Sequence, residues 1–262
     1  MRKVEGQQSS TDGNSSAVEP DSPIGARRTE KLSEVLAREI VRDLRTLTPS
    51  TMLPSESIML RKYRVGRASL REALRLLEVQ GLIVIRPGPG GGPMVAQADS
   101  AHYGKISSLY YHMLGATYQD VLDARMVIEP MVARLVAERQ DPDDMSMLQE
   151  YLDRLSQSPS GDYERYVEDA SEFHSMLVSM SGNPVLSLSA RSLQDVYLER
   201  VHGLFPPERQ KQVERDHRAV VQAMINGEAT RAERVMRKHM AEYDEYSKKR
   251  YPGMLSETVD WH

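Results

Sequence analysis

The sequence predicts a mainly α protein in two parts. A small three-helix unit closed by a β-ribbon comes first, and an antiparallel bundle of about seven helices follows. Three observations carry this. Apolar residues recur at helical spacing through most of residues 29–250. One β-branched run, Leu82 to Ile85, leads into Pro87 to Pro93, a turn with four glycines and three prolines. The net charge of −4 also divides along the chain: −1 over 1–30, +5 over 31–97 and −8 over 98–262.

Composition narrows the function. A chain of 262 residues has room for two domains of ordinary size. There is no cysteine, so disulfides, thiolate nucleophiles and Cys-ligated zinc are excluded. No apolar run approaches the ~20 residues that span a bilayer, and the first residues lack the apolar core of a secretory signal. The expected place is the cytoplasm, on the nucleoid, with no membrane partner.

Residues 1–28 read as a disordered tail, rich in Ser, Gly, Pro, Asn and Gln. Arg27 and Arg28 close it, as solvated charges or as phosphate contacts. A first helix is expected from Thr29, with Leu32, Val35, Leu36, Ile40 and Leu44 as its apolar stripe. Pro49 ends it. Ser55 is the expected N-cap of a short second helix, with Glu56 at its positive end. A third helix is expected from Arg67 to Gln80. Leu70, Ala73, Leu74 and Leu77 share one face. Arg67, Arg71 and Arg75 form a second stripe about 110° away. Gly66 stands at the N-cap and Gly81 ends the helix. The strand at 82–85, the glycine turn and Met94-Val95 make a wing.

Six basic residues fall between Arg61 and Arg75, with Glu72 the one acid among them. A basic amphipathic helix is often only a solvated face. Here the basic side is one that the core does not use, a short helix precedes it and a glycine wing follows. The three together read as a winged helix-turn-helix over residues 29–97. In that arrangement the N-terminal half of the third helix enters the major groove, where Arg67 and Arg71 reach base edges or phosphates. An arginine fork on guanine O6 and N7 gives about 1–3 kcal/mol of discrimination.

This stretch resembles the GntR family of bacterial transcription regulators. The residues that carry the likeness are Leu53-Pro54-Ser55-Glu56, then Val65-x-Arg67-x-x-Leu70-Arg71-Glu72-Ala73-Leu74, then Leu77-Glu78-x-x-Gly81-Leu82-Ile83 and the glycine wing. The resemblance implies homodimers on short palindromic operators of double-stranded DNA. It implies contacts from Gly66, Arg67, Ala68, Ser69 and Arg71, and from Gly90 and Gly91 at the wing tip. Two positions depart from the family pattern. Ser57 stands where an arginine is usual, and Gly66 where Ser or Thr commonly caps the third helix.

Residues 98–250 are expected to be all helical, with helices near 101–114, 118–140, 143–157, 162–181, 184–203, 207–226 and 228–248. Asn183 before Pro184 reads as an N-cap with proline at N1. Residues 251–262 read as a loose tail. Three of the seven histidines, His174, His217 and His239, each lie on the apolar face of a helix. Each alone reads as a hydrogen-bonded core residue. Together they can converge as a three-His site for Zn, Ni, Fe or Cu with positions left open. Arg125 and Glu129 share another apolar face. They pair with each other, or Arg125 grips the carboxylate of an effector.

This second part resembles the helical ligand-binding domain of the FadR subfamily. The likeness is carried by Asp123-x-Arg125-x-x-x-Glu129, Glu172-Phe173-His174, Ser181-Gly182-Asn183-Pro184, Asp216-His217 and Lys238-His239-Met240. It implies a divalent metal, Zn or Ni, on the three histidines plus an aspartate four residues before the first. Here that position is Ala170. Asp169, five residues before His174, points about 140° away from it. The function expected is an effector-responsive regulator, a repressor released by a small carboxylate or acyl-type ligand, and no enzyme. The rival is a metal-dependent enzyme in which the three-His site activates water.

Overall fold

The computed structural model describes residues 31–97, 100–157, 163–201 and 207–261. The expected tail at 1–28, and Arg27 and Arg28 with it, lie outside the described residues.

The first unit contains α1 (Leu32–Leu44), α2 (Glu56–Tyr63), α3 (Arg67–Val79), β1 (Ile83–Arg86) and β2 (Gly92–Val95). Leu36, Ile40 and Leu44 of α1 are buried, as their spacing predicts. Leu32 and Val35 belong to the same sequence stripe but are exposed. A stripe one helix long is wider than the contact α3 offers it. Ser55 occupies the N-cap of α2, but its hydroxyl caps no backbone group. It is spent on the Ser57 hydroxyl, 3.1 Å away. Met59, Leu70, Leu77 and Ile83 complete this core.

The ribbon is antiparallel, with Ile83 opposite Val95 and Arg86 opposite Gly92. Its other edge is not bare. The Leu53 N–H donates to the Pro93 carbonyl and the Val95 N–H to Thr51. Residues 51–53 therefore act as a short third strand that fixes the wing to the start of α2. At the wing tip Gly90 takes φ +77°, and a Cβ on Gly91 would fall 2.2 Å from the Arg86 carbonyl oxygen. Only glycine fits there.

The second part runs through α4 (Ser100–Leu114), α5 (Tyr118–Arg139), α6 (Pro142–Gln157), α7 (Tyr163–Ser179), α8 (Pro184–Val201), α9 (Gln210–Ile225) and α10 (Ala229–Arg250). A 3-10 turn at Pro207–Arg209 leads into α9. Thr117 and Asp120 form a capping box at the start of α5. The Asn183 side chain accepts from the Val185 and Leu186 amides, as its place before Pro184 predicts. Leu122, Tyr151, Phe173, Leu177, Tyr197 and Met224 are buried at the centre.

The C-terminal residues are not the loose tail expected from the sequence. Pro252–Ser256 forms a short helix, α11, and Thr258 bridges back to Thr117. Met254, Leu255 and Val259 are buried. The Val259 amide donates to the Ala116 carbonyl at 2.8 Å, and its own carbonyl lies 2.8 Å from His112 Nδ1. The spacing of Met254, Leu255 and Val259 gives no helical or alternating period, so only packing against α4 and α5 reveals their role. No helix among the described residues is long and apolar enough to cross a membrane.

Candidate DNA-reading surface and histidine chamber

The third helix has the two faces its sequence predicts. Leu70, Ala73, Leu74 and Leu77 are buried, while Arg67, Arg71 and Arg75 are exposed. Gly66 is the N-cap in extended backbone and offers no side-chain cap. Three backbone amides at the start of α3 thus face outward with only small side chains, Gly66, Ala68 and Ser69, around them. Glu56 at the start of α2 lies 3.4 Å from Arg71 and 4.0 Å from Arg67. It holds both guanidinium groups on one side of the helix. Gly90 and Gly91 are exposed at the tip of the ribbon.

Gly81 ends this element with φ +70°. A Cβ there would meet the His102 ring of α4 at 2.3 Å. The end of α3 therefore rests on the first turn of α4. Ser100 of the same turn donates to Asp195 of α8 at 2.5 Å.

Deep in the bundle, α7, α9 and α10 each deliver one histidine to a common point. His217 Nε2 lies 3.2 Å from His239 Nε2, which lies 3.4 Å from His174 Nε2. One ring nitrogen from each of the three falls within a 4.8 Å group that can hold a metal ion. His217 also stacks on Phe173, with ring centroids 3.9 Å apart.

Behind two of the rings the other nitrogen has a hydrogen-bond partner, and behind the third it faces a carboxylate without bonding it. His174 Nδ1 donates to Glu129 Oε2 at 2.5 Å. His217 Nδ1 is 3.0 Å from the Tyr151 hydroxyl. His239 Nδ1 is 3.5 Å from Asp216 Oδ2. Glu129 also accepts from Arg125 Nε at 2.7 Å, so Arg125 and Glu129 do pair. Burial raises the Glu129 pKa, but the Arg125 guanidinium and His174 outweigh it and hold the carboxyl at about 2. Burial likewise works against ionisation of Asp216, and its contacts with His239 and Gln212 prevail. Burial pushes His174 below its ordinary value, against the pull of Glu129. It pushes His217 well below, helped by the neighbouring His239 and His174 rings.

An ionised carboxylate can only accept, so the His174 ring, kept neutral by burial, carries its proton on Nδ1 and turns its Nε2 lone pair toward His239 Nε2, 3.4 Å away. Metal–imidazole bonds of about 2.0–2.1 Å place neighbouring nitrogens about 3.0–3.4 Å apart. The donor set and its backing partners therefore fit a divalent cation. Ala170 is buried one turn before His174 and adds no ligand.

The three histidines line a small cavity. Arg125, Arg209, Tyr197, Tyr243, Ala170 and Val213 are among its lining residues. Glu129 is not in that lining; it sits behind His174. The Arg125 guanidinium lies 5.1 Å from the Tyr197 ring centre, and Arg209 is steadied by the Glu242 carbonyl at 3.0 Å. Sequence reasoning did not find Tyr151, Tyr197, Tyr243 or Arg209, whose helices show no unusual spacing at those positions. Asp216 carried a signal, being next to His217, but its role depends on the turn of α10 that brings His239 alongside.

Comparison with known proteins agrees with both halves. Residues 32–91 match the family of bacterial regulatory proteins of the gntR family, and residues 120–242 match the FCD domain. An HTH-type transcriptional repressor NanR from Enterobacter sp. is 27% identical over 220 residues, covering 80% of this chain and 83% of that protein. An uncharacterized HTH-type transcriptional regulator, Rv0494, from Mycobacterium tuberculosis is 27% identical over 191 residues, covering 72% of this chain and 76% of that protein. A solved Streptococcus agalactiae GntR structure superposes with a TM-score of 0.65 at 22% identity, covering 82% of this chain and 99% of that one. Both curated relatives are named as HTH-type transcriptional regulators.

Proposed function

We propose that this chain, whose residues 32–91 match the bacterial regulatory proteins of the gntR family, is a cytoplasmic repressor that binds a palindromic operator as a homodimer and lets go when a small organic acid enters the histidine chamber. In this reading residues 29–97 read DNA, and residues 98–250 bind the effector and join two copies. The observation that carries it is the outward stripe of Arg67 and Arg71 on a helix whose neighbouring face, Leu70, Ala73, Leu74 and Leu77, is buried. Arg67 and Arg71 read base edges or phosphates; Gly66, Ala68 and Ser69 let the start of α3 approach the duplex; Gly90 and Gly91 do the same for the wing.

A second copy is supported by an exposed apolar stripe on α4, Tyr103, Ile106, Tyr110 and Met113; Val127 and Met131 of α5 are exposed as well. Two recognition helices must sit about 34 Å apart to enter successive major grooves. A ligand that favours another spacing releases DNA by its difference in affinity for the two states.

For the chamber, His174, His217 and His239 hold a divalent metal, Zn or Ni, which supplies a Lewis-acidic positive centre for the effector's carboxylate. Glu129, Tyr151 and Asp216 set the tautomers of the three rings. Arg125, through Glu129, positions His174 and turns its remaining face toward the ligand. Gel shifts test the proposal. Selective binding to one palindrome, weakened by a carboxylic acid, is expected; equal binding to scrambled DNA would sink it. Metal analysis should find about one ion per chain in the wild type and little in His174→Ala.

A further inference from the structure

A second cleft lies apart from the histidine chamber and shares no lining residue with it. Its walls come from α4, α8, Tyr118 of α5 and Asp260 near the C-terminus. Its volume is about 260 Å³, less than the ~300–1,000 Å³ of clefts that take drug-sized ligands, so only a small molecule fits. On α4 it uses Ala101, Lys105 and Ser108, on the face roughly opposite the exposed stripe of Ile106, Tyr110 and Met113. A second copy seated on that stripe therefore leaves the cleft open.

The charges of the lining fall into two sets. Asp195 and Arg200 are engaged within the fold. Asp195 accepts from Ser100 at 2.5 Å and pairs with Arg191, and Arg200 donates twice to Glu257, at 2.8 and 2.6 Å. Lys105, Glu199 and Asp260 form no side-chain hydrogen bond or ion pair among the described residues. Two hydroxyls of the lining are almost fully buried, Ser108 at 6% and Tyr118 at 4% exposure. Each has spent half its capacity. Ser108 Oγ donates to the Lys105 carbonyl and can still accept; the Tyr118 hydroxyl accepts from the Asp260 amide and keeps its own proton to give.

We propose that this cleft is a second ligand site, for a small zwitterion such as a free amino acid. The ligand's carboxylate accepts from the Lys105 ammonium and the Tyr118 hydroxyl. Its ammonium donates to Glu199, Asp260 and Ser108 Oγ. A simple acid would bring a like charge to Glu199 and Asp260, and a simple amine would bring one to Lys105. Only a molecule with both charges satisfies the three side chains together. The site owes nothing to a metal or to the reading of DNA.

Metal-stripped full-length protein is used for the test, so that no amino acid can chelate an ion in the chamber. Thermal shifts screen the common amino acids and 4-aminobutyrate, and calorimetry measures each hit. At least one zwitterion should bind with a Kd below about 1 mM. Its amide, which lacks the carboxylate, and its N-acetyl derivative, which lacks the ammonium, should bind roughly tenfold more weakly or worse. Lys105→Ala and Glu199→Gln alter exposed positions and should each weaken binding by about tenfold, while His174→Ala should leave it unchanged. The two surface variants decide the matter even if His174→Ala does not fold. Binding equally tight in both of them overturns the site. An amide or N-acetyl form held as tightly as the zwitterion overturns the ligand class. No amino acid bound by the wild type overturns the proposal and leaves Lys105, Glu199 and Asp260 as a solvated face.

Discussion

The recognition helix and the histidine chamber hold charge in opposite ways. The side chains of Arg67 and Arg71 are 79% and 70% exposed, and their shared partner Glu56 is itself 40% exposed. Those of Arg125 and Glu129 are 6% and 2% exposed. A surface pair is weak and screened by salt, so its members are free to exchange one partner for another. A buried pair has no such freedom, because removing one member strands the other in a low-dielectric interior. The first arrangement suits a surface that must meet a polyanion. The second suits a site whose geometry must be settled before a ligand arrives.

That contrast can be broken by mutation, and the largest effect belongs to the buried side. Glu129→Ala strands the Arg125 guanidinium and frees His174, and should cost about 3–5 kcal/mol of stability. Chemical denaturation measures it; an unchanged midpoint would mean that the chamber is not organised by this carboxylate. Arg67→Ala should leave the denaturation midpoint in place and weaken operator binding by about 1–3 kcal/mol. Unchanged affinity in gel shifts would remove the third helix from its assigned role.

Gly81→Ala tests the joint between the two regions. It places a side chain at φ +70° and against the His102 ring, which should cost about 1–3 kcal/mol. A wild-type midpoint would show that α4 yields freely at this point.

Acid sharpens the comparison further. The buried His174 and His217 rings have folded pKa values below 6.5, so the unfolded chain takes up protons first. Their contribution to stability is complete above about pH 6.5 and is lost as pH falls toward the lower folded values. Glu129, held at about 2, adds stability above about 4.5 that is lost as pH falls through 2. Denaturation midpoints of metal-stripped protein should therefore decline from pH 7.5 to pH 5.5, and His217→Phe should flatten that decline. The smallest effect belongs to the surface. Glu56→Gln should change stability by under about 0.5 kcal/mol and raise DNA affinity slightly, by freeing two arginines.

The same contrast explains what could be read from the sequence. Leu70, Ala73, Leu74 and Leu77 announce a packed face by spacing alone, and Arg67 and Arg71 are then exposed by elimination. Helices α4 to α10 were visible for the same reason, through apolar period and Pro or Gly punctuation. The three histidines could be singled out because each interrupts an apolar face. What backs them could not. Tyr151 is 66 residues from the ring it touches, and Glu129 is 45 from His174. Such pairings are set by how four helices rotate against one another, and no local pattern records it. The exposed Leu32 and Val35 of α1 show the converse limit: a periodic stripe predicts a helix well, and predicts less well how much of it finds a neighbour.

Val259 is fully buried and linked on both sides, to Ala116 and to His112. For anyone trimming the chain this decides where to stop. A chain cut at Arg250 would lose the strap that closes over the start of α5. Measurements of metal loading and operator release should be made on protein that keeps residues 251–261.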